Sequence, residues 1–417
     1  MAIMGFNAKI DRIMDDIVHV TRGSVTTNRP SYSAFDSEAR EYFLEAFEKL
    51  GLSVSVDGAG NIRAAMAGRA PELSPVLTGS HIDTVKNGGR FDGLVGSVCA
   101  LECIRVFREN SYIPKRNVEI IIFAEEEATN FDITLLGSKL LTGKLAPADL
   151  MRIFNDEGES ADAVIRRAGF DPDRIGGEVL KKDDVYAMIE MHIEQGPVLD
   201  KLGIPVGVVE RIAGMETYRV VFRGVRGHAG TVAMQDRRDP MIGAAEIIMG
   251  MKKAAESAET GTAVATVGKI TARPGAANII AGEVEFYVDI RDVCDASVEY
   301  LAAELSTLVD STAQKYGLSA EVFRVAKSPA VSLDHEVVDT IYDAASSLGI
   351  ECMYINSGAV HDTAMMAGVT RTGMIFVPSI VGASHCPEED TDAADILTGA
   401  NVLIETIRRI AEEGGKP

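Results

Sequence analysis

The sequence predicts an α/β fold whose first domain is interrupted by an inserted α+β domain. Apolar, strand-like segments alternate with amphipathic helices through about the first two hundred residues, which is typical of the α/β class. One segment, residues 117–124 (NVEIIIFA), is rich in branched apolar residues. We therefore expect a mostly parallel sheet covered by helices on both faces. The same alternation resumes near residue 330, so the first domain is discontinuous.

Local patterns define the elements of the first domain. Apolar residues at helical spacing predict an amphipathic helix over residues 35–50. Residues 53–66 predict a hairpin that turns at Asp57. A buried strand is expected over residues 75–84, and a helix over residues 94–110. Beyond the insert, the expected elements are a helix over 337–349, a strand-like segment over 372–384 and a closing helix over 396–413.

The inserted segment has a different character. Residues 216–225 alternate apolar and polar residues like a half-exposed strand. Residues 262–274 and 283–292 predict two antiparallel strands. The other expected elements are helices over 240–258 and 296–316 and a last strand over 318–326. We therefore expect a catalytic domain of residues 1–212 and 328–417, and an inserted lid or dimerisation domain of residues 213–327.

Composition and charge exclude several classes of function. The formal net charge of −21 argues against a nucleic-acid partner, because no basic stripe offsets it. No run approaches the roughly 20 apolar residues of a membrane span, and the N-terminus lacks the apolar core of a secretory signal. Five cysteines without a CxxC pair indicate neither a disulfide framework nor a zinc ribbon. These features favour a cytoplasmic enzyme without a membrane partner.

Histidines and acidic residues follow the predicted strands of the first domain. They are His81, Asp92, the glutamate run 125–127, His192 and His385. In an open α/β sheet the carboxyl ends of the strands form the ligand-binding edge, so four distant segments would bring these side chains together. Imidazole nitrogens combined with carboxylate oxygens suit Zn²⁺, Mn²⁺, Co²⁺ or Ni²⁺. The pattern therefore predicts a metal-dependent hydrolase.

Each of these residues also has a structural interpretation when taken alone. A single histidine near a strand end is commonly a satisfied structural group, and Asp92 could cap the helix that follows it. The coincidence of four such segments favours a metal site instead. Two divalent ions would need a carboxylate between them, and one of the glutamates 126 and 127 could bind metal while the other transfers a proton. The spacing alone leaves open which glutamate does which.

Several motifs resemble a known family of enzymes. The segments SHIDTVKNGGRFDG, EEEATNF, EMHIEQGPVLD, GHAGTVAMQDRRDP and SHCPEED are similar to those of the dinuclear metal amidohydrolases. These include N-carbamoyl-L-amino-acid hydrolase, β-ureidopropionase and allantoate amidohydrolase. They form the hydantoinase/carbamoylase branch of the aminoacylase/carboxypeptidase G2-like metallopeptidases. The resemblance extends from about residue 5 to residue 412.

The resemblance implies roles for the metal-binding residues. Asp92 would bridge two divalent ions, with His81 and His192 on one ion. Glu127 and His385 would bind the other ion. Glu126 would act as the general base and then as the general acid.

The resemblance also implies residues that bind the substrate. His228 would reach the site from the partner subunit of a homodimer and stabilise the oxyanion. Gln195 would contact the ureido group, and Asn278 and Arg291 would hold the substrate carboxylate. A bidentate guanidinium suits a carboxylate, and an acidic protein needs such a local anchor.

The function expected from these features is hydrolysis of an N-carbamoyl-L-amino acid to the amino acid, carbon dioxide and ammonia. The alternative is an allantoate or ureidoglycolate amidohydrolase with the same metals and a different pocket. An aminoacylase or dipeptidase is a third interpretation, which the segment HIEQG disfavours. A catalytically silent binding protein is disfavoured as well, because every expected ligand and the base are present.

Overall fold

The computed structural model describes residues 6–25 and 27–414. These residues form two compact units, each assembled from segments that are distant in sequence. The first unit contains the described residues up to Glu210, Leu333–Ile355 and the described residues from His361 onward. The second unit contains Arg211–Ser332 and Asn356–Val360. The role of the second unit as a lid or dimerisation domain stays a prediction.

Strands and helices alternate along most of the first unit, and the elements of both units are numbered together along the chain. In chain order the strands are β1 (Ser53–Val56), β2 (Ile62–Met66), β3 (Val76–His81), β4 (Val118–Phe123), β5 (Ala187–Ile193), β6 (Val206–Ile212), β7 (Gly214–Arg223), β8 (Gly227–His228), β9 (Val264–Arg273), β10 (Ile279–Ile280), β11 (Glu283–Asp292), β12 (Ser319–Ser328), β13 (Val331–Ser332), β14 (Cys352–Ser357) and β15 (Arg371–Val377). The α-helices are α1 (Ile10–Val20), α2 (Ala34–Lys49), α3 (Leu94–Glu109), α4 (Leu136–Leu141), α5 (Ala161–Arg167), α6 (Ile175–Glu178), α7 (Val198–Leu202), α8 (Pro240–Glu256), α9 (Asp295–Tyr316), α10 (His335–Ser347), α11 (Asp362–Met366) and α12 (Ala393–Glu412). The predicted α/β class is confirmed.

The first unit is built on a mixed sheet with a parallel centre. Its strands lie in the order β1-β2-β4-β3-β5-β15-β6, and β14 also pairs with β6. β3 pairs parallel with β4 and β5, and β5 pairs parallel with β15. The flanking strands β2 and β6 are antiparallel to their neighbours β4 and β15. The carboxyl ends of the four central strands therefore meet at one edge of the sheet.

Helices cover both faces of this parallel centre. Every residue of β3 and β5 is buried. Leu77, Ile121 and Met188 pack in one cluster with Leu141 of α4 and Met366 of α11. The neighbouring residues, which point to the opposite face, meet α3 and α12. The branched run of β4 is thus buried on both sides, as its composition predicts.

The second unit is a four-stranded antiparallel sheet with two helices packed against it. The strand order is β12-β7-β11-β9. β11 alternates buried and half-buried residues along its whole length, so one face forms a core. That core joins Phe222 and Phe286 of the sheet with Ile247 of α8 and Leu305 of α9. The two antiparallel strands predicted over 262–274 and 283–292 pair as β9 and β11. The sequence did not predict the short pair formed by β8 and β10.

Among the described residues, none of the helices combines the length and the apolar character needed to cross a membrane.

Gly79 in the middle of β3 shows how tightly the central strands are packed. Its φ is +148°, and a Cβ atom there would lie 1.8 Å from the carbonyl oxygen of Ile121 in β4. We expect Gly79→Ala to lower the free energy of unfolding by at least about 2 kcal/mol, because the strands must separate. Gly268→Ala is the matched control, since a Cβ at this glycine of β9 meets nothing within 4 Å. Denaturant unfolding of both variants tests this, and equal stabilities would contradict it.

Candidate metal centre

Three central strands carry histidines or glutamates at their carboxyl ends. His81 is the last residue of β3, and His192 is the last residue but one of β5. The glutamate run 125–127 follows β4 directly, and His81 lies opposite Phe123 in the pairing of β3 with β4. His81 and His192 are almost fully buried, with 2% and 1% of their surfaces exposed. The parallel pairing brings all of these side chains to the same sheet edge.

Asp92 lies at the centre of the cluster. Its Oδ1 is 3.1 Å from Nε2 of His192 and 3.9 Å from Nε2 of His81. Its Oδ2 is 3.0 Å from Nε2 of His385. Asp92 does not cap α3, because the capping position is Gly93 and no side-chain hydrogen bond is made there. Its two oxygens therefore face histidines on opposite sides.

Donor atoms group around Asp92 in two sets. The ligand atoms of His81, Asp92 and His192 lie within 4.8 Å of one another, and so do those of Asp92, Glu127 and His385. Asp92 is the member that the two sets share. This arrangement suits a pair of cations with one carboxylate between them.

The two buried histidines present Nε2 toward Asp92. Nδ1 of His81 is 3.0 Å from the carbonyl oxygen of Asp83, and Nδ1 of His192 is 2.9 Å from that of Ile193. A carbonyl oxygen only accepts hydrogen bonds, so both Nδ1 atoms carry a proton and Nε2 is the nitrogen left to bind a cation. Gly93 donates its backbone N–H to Nε2 of His192 at 3.1 Å, which agrees with this tautomer. Metal-binding histidines are commonly oriented in this way.

The side chains of the three glutamates in the run point in different directions. Asp83 accepts hydrogen bonds from the backbone N–H groups of Glu126 (3.3 Å) and Glu127 (3.1 Å). Oε2 of Glu127 is 3.4 Å from Nε2 of His385, and Oε2 of Glu126 is 3.9 Å from Nε2 of His81. Glu125 instead accepts hydrogen bonds from Asn130. The run therefore directs two of its three carboxylates to the histidines.

Further evidence that the cluster fits divalent cations comes from its electrostatics. Burial raises the pKa of Glu127 to about 7, and the charge of Asp92 contributes to the increase. The hydrogen bond to Asp92 raises the pKa of His385 to about 9. Oε1 of Glu127 is buried and has no hydrogen-bond partner among the described residues. Carboxylates crowded in this way need positive charge, and nitrogen and oxygen donors together fit a divalent transition metal or Zn²⁺.

Comparison with known proteins identifies the family. The sequence pattern of peptidase family M20/M25/M40 matches residues 77–409. The chain belongs to this family. The N-carbamoyl-L-amino-acid amidohydrolase of Paenarthrobacter aurescens is 36% identical over 406 residues, which cover 97% of this chain and 98% of that protein. The ureidoglycolate hydrolase of Arabidopsis thaliana is 35% identical, with 93% of this chain and 83% of that protein covered.

The solved structures agree with this membership of the M20 family. An amidase of the hydantoinase/carbamoylase family from Burkholderia multivorans superposes with a TM-score of 0.90 at 29% identity, covering 98% of this chain and 99% of that one. The resemblance predicted from the motifs is confirmed. M20 proteins are metal-dependent hydrolases that act on C–N bonds, so the predicted enzyme class is confirmed as well.

Gln195 lies against the ligand cluster. Its Nε2 donates a hydrogen bond to Oδ2 of Asp92 at 2.8 Å and lies 3.3 Å from Nε2 of His385. Its backbone has a φ of +57°, and its N–H donates to Oγ of Ser379. The side chain predicted to contact the substrate thus touches Asp92 and His385 directly.

The other predicted substrate-binding residues belong to the second unit. His228 in β8 is paired with Ile279 in β10, next to Asn278. Gly230 donates its N–H to Nδ1 of His228 at 3.1 Å. Arg291 lies near the end of β11, where its Nε donates to Asp289 at 2.7 Å and its Nη1 to the carbonyl oxygen of Gly358. His228 and Asn278 are therefore neighbours within this unit.

Three buried residues beside the cluster were not predicted as site residues. Asp83 supports the glutamate run, as described above. The ring of His361 lies 4.5 Å from that of His192, and burial holds the pKa of His361 well below its ordinary value. Glu389 accepts hydrogen bonds from two separate loops. Asp83 and Glu389 both stand within recognised motifs, SHIDT and SHCPEED, but a sequence pattern does not reveal which backbone groups a carboxylate contacts.

Glu389 connects the loop that carries Asp92 to the loop that carries His385. Its Oε1 accepts the N–H groups of Phe91 (2.9 Å) and Asp92 (3.1 Å). Its Oε2 accepts the N–H of His385 and the hydroxyl of Ser384, each at 3.3 Å. The carboxylate therefore fixes two candidate ligands relative to each other.

We expect Glu389→Gln to weaken the retention of divalent metal about 10- to 100-fold. One of its two acceptor oxygens becomes an NH₂ group that faces a backbone donor, so one of the two loops is released. Glu388→Gln makes the same chemical change at an exposed neighbour and should leave metal affinity unchanged. Metal content after competition with a chelator tests this, and equal loss in the two variants would contradict it.

Proposed function

We propose that this chain hydrolyses the carbamoyl (ureido) group of an N-carbamoyl-L-amino acid, giving the amino acid, carbon dioxide and ammonia. The observation that carries this proposal is the Asp92-centred cluster, with the carboxylate of Glu126 beside it. The choice of substrate is supported by the Paenarthrobacter relative, which matches nearly the whole chain and is named for this class of substrate.

In this proposal the cluster holds two divalent ions, Zn²⁺, Mn²⁺, Co²⁺ or Ni²⁺. His81 and His192 would hold one ion, Glu127 and His385 would hold the other, and Asp92 would serve both. The division of the two Asp92 oxygens between His192 and His385 supports this assignment. When bound, the ions would supply Lewis-acid stabilisation of the charge that develops on the ureido carbonyl.

Glu126 transfers the proton. It is almost fully buried, and Asp83 fixes its backbone next to His81. The carboxylate takes a proton from the attacking water and gives it to the nitrogen that leaves when the ureido C–N bond breaks. Glu127 faces His385 instead, which favours Glu127 as a ligand and its neighbour as the base.

Four further side chains bind the substrate. Because Nδ1 of His228 accepts a hydrogen bond from Gly230, its neutral ring carries the proton on Nε2 and can donate it to an oxyanion. Arg291, whose side chain is about one third exposed, binds the substrate carboxylate together with Asn278. Gln195 contacts the ureido group from its position beside Asp92.

We also propose that the protein is a homodimer joined through its second unit. The helix α8 exposes four large apolar side chains, Met241, Ile242, Ile248 and Met249, with 37–55% of each accessible. Exposed apolar patches of this kind commonly mark protein–protein contacts. In such a dimer His228 would act on the metal cluster of the partner subunit.

A second candidate activity is hydrolysis of ureidoglycolate or allantoate. The relative from Arabidopsis thaliana that supports it is 35% identical and is named a ureidoglycolate hydrolase. The same metal cluster and base would serve it, because the bond that breaks is again the C–N bond of a ureido group. The predicted cytoplasmic location stays a prediction in either case.

Ammonia release from a panel of ureido compounds distinguishes these substrates. The enzyme is stripped with a chelator and then supplied with Mn²⁺, Co²⁺, Zn²⁺ or Ni²⁺. We expect turnover of N-carbamoyl-L-amino acids, no turnover by the stripped enzyme, and a loss of at least about 100-fold in kcat for Glu126→Gln. The panel also contains N-carbamoyl-D-amino acids, N-carbamoyl-β-alanine, allantoate and ureidoglycolate.

Turnover of allantoate or ureidoglycolate alone would replace the preferred substrate with the second candidate. Full activity of Glu126→Gln with normal metal content would overturn the role of Glu126. Glu125→Gln is the control for Glu126→Gln, because the carboxylate of Glu125 contacts Asn130 rather than the histidines.

Mixed dimers test whether His228 acts across subunits. Glu126→Gln and His228→Ala are each expected to be inactive as homodimers. In a mixed dimer, the intact metal cluster of the His228→Ala subunit meets the intact His228 of its partner. We expect mixing, with subunit exchange, to restore activity at about a quarter of the sites. No recovery in verified mixed dimers would place His228 in its own subunit's site.

A further inference from the structure

A second cleft lies in the first unit, and none of the candidate site residues lines it. Its volume is about 510 Å³. The walls come from α1, α2 and the loop between these helices. Val20, Phe35 and Ala39 make parts of the wall apolar, and the ring of His19 stacks on that of Tyr42 at 4.3 Å between centroids.

Arg29 forms part of this wall and is 3% exposed. Its Nε donates to the carbonyl oxygen of Ile82 at 2.5 Å, and its Nη1 to that of Val20 at 3.4 Å. Its Nη2 is buried without a hydrogen-bond partner among the described residues. Burial lowers the pKa of Arg29 to about 10, although Asp36 and Asp83 act in the opposite direction.

Other arginines nearby have carboxylate partners. Arg40 is also buried and is paired with Asp36 at 2.7 Å. Arg22, the other arginine of the cleft wall, is paired with Glu38 and lies over the ring of Phe35. Within the described part of the chain, Arg29 makes no such ion pair. A buried cation is costly unless a negative charge compensates it, and Asp36 and Asp83 act on Arg29 without forming an ion pair with it, so a ligand carboxylate would supply a direct partner.

We propose that this cleft binds a small carboxylate with an apolar body, and that the carboxylate group contacts Arg29. The apolar wall and the stacked rings of His19 and Tyr42 would hold the apolar part of the ligand. A guanidinium with an unused N–H edge is well suited to a carboxylate. The proposal does not depend on which ureido compound the metal cluster hydrolyses.

Arg29 also contacts the segment that follows the metal-binding strand β3. Its N–H donates to Oγ1 of Thr84, and the N–H of Thr84 donates to the carbonyl oxygen of Arg29. Together with the bond to Ile82, these contacts flank Asp83, which supports Glu126 and Glu127. A carboxylate bound at Nη2 of Arg29 would therefore act next to the segment that holds Asp83, so we expect it to affect the metal cluster.

The chain contains no tryptophan, so one introduced tryptophan is a unique fluorescent reporter. Phe35→Trp places it on the wall of the cleft, where Phe35 is 48% exposed. Benzoate is the probe, and benzamide is its neutral analogue of the same shape. We expect a saturable change in the fluorescence of the metal-loaded protein with benzoate, and at least about tenfold weaker binding of benzamide. Benzoate should also raise the melting temperature of the wild-type enzyme.

Two variants in the Phe35→Trp background test where benzoate binds. Ala39→Leu fills the cleft and should abolish the fluorescence change. Arg29→Lys keeps the charge but loses the planar fork, and should weaken binding at least about tenfold. Melting temperature and metal content verify that each variant is folded. Ala163→Leu, at an exposed position of α5, is a matched control for the added volume.

The possible results separate this proposal from the proposed function. Equal binding of benzoate and benzamide, or unchanged binding to a folded Ala39→Leu variant, would overturn it. No fluorescence change together with no shift of the wild-type melting temperature would overturn it as well. Since neither readout needs turnover, both remain informative if no ureido compound is hydrolysed. Ammonia release with and without benzoate then measures the coupling to the metal cluster.

Discussion

The compensation of charge around Asp92 is the constraint on which the first unit depends. Asp92 is buried, and its oxygens face histidines that come from β3, from β5 and from the loop after β15. Burying so many ionisable groups is unfavourable unless each has a partner of opposite charge. The parallel centre of the sheet provides those partners, because it brings the ends of distant strands to the same edge.

Buried groups that are not candidate ligands themselves also support this cluster. Backbone carbonyls orient His81 and His192, and Asp83 and Glu389 each fix two or more backbone N–H groups. Such contacts set the direction of a ligand more strictly than a flexible side chain alone could. The tight packing of Gly79 against β4 contributes in the same way, since it fixes the strand that ends at His81.

The two units differ in how their residues are used. The first unit contains the complete Asp92 cluster together with the carboxylate of Glu126. The second unit carries His228, Asn278 and Arg291 on an antiparallel sheet with an exposed, partly apolar helix. In the proposed function, metal binding and proton transfer belong to the first unit, and recognition of the substrate carboxylate and the oxyanion belongs to the second.

Much of this structure could be predicted from the sequence. Helical spacing identified α2, α3 and α9, and the branched run of residues 117–124 indicated a strand buried on both faces. The candidate ligands were recognisable because donor residues followed apolar strands, and short motifs such as SHCPEED resembled those of a known family. These features depend on local spacing and residue type, which are properties of the sequence itself.

Only the tertiary structure decided the contacts between distant residues. The family resemblance already implied that two groups of donors share Asp92. The two loops joined by Glu389 could not be predicted, because they depend on strand order and backbone orientation. That Arg29 has no carboxylate in an ion pair with it, among the residues that the structure describes, likewise becomes visible only when its neighbours are known. The sequence alone determined which residues could carry the chemistry. Folding decided which of them are buried together. Burial matters because a buried charge needs a partner of opposite charge.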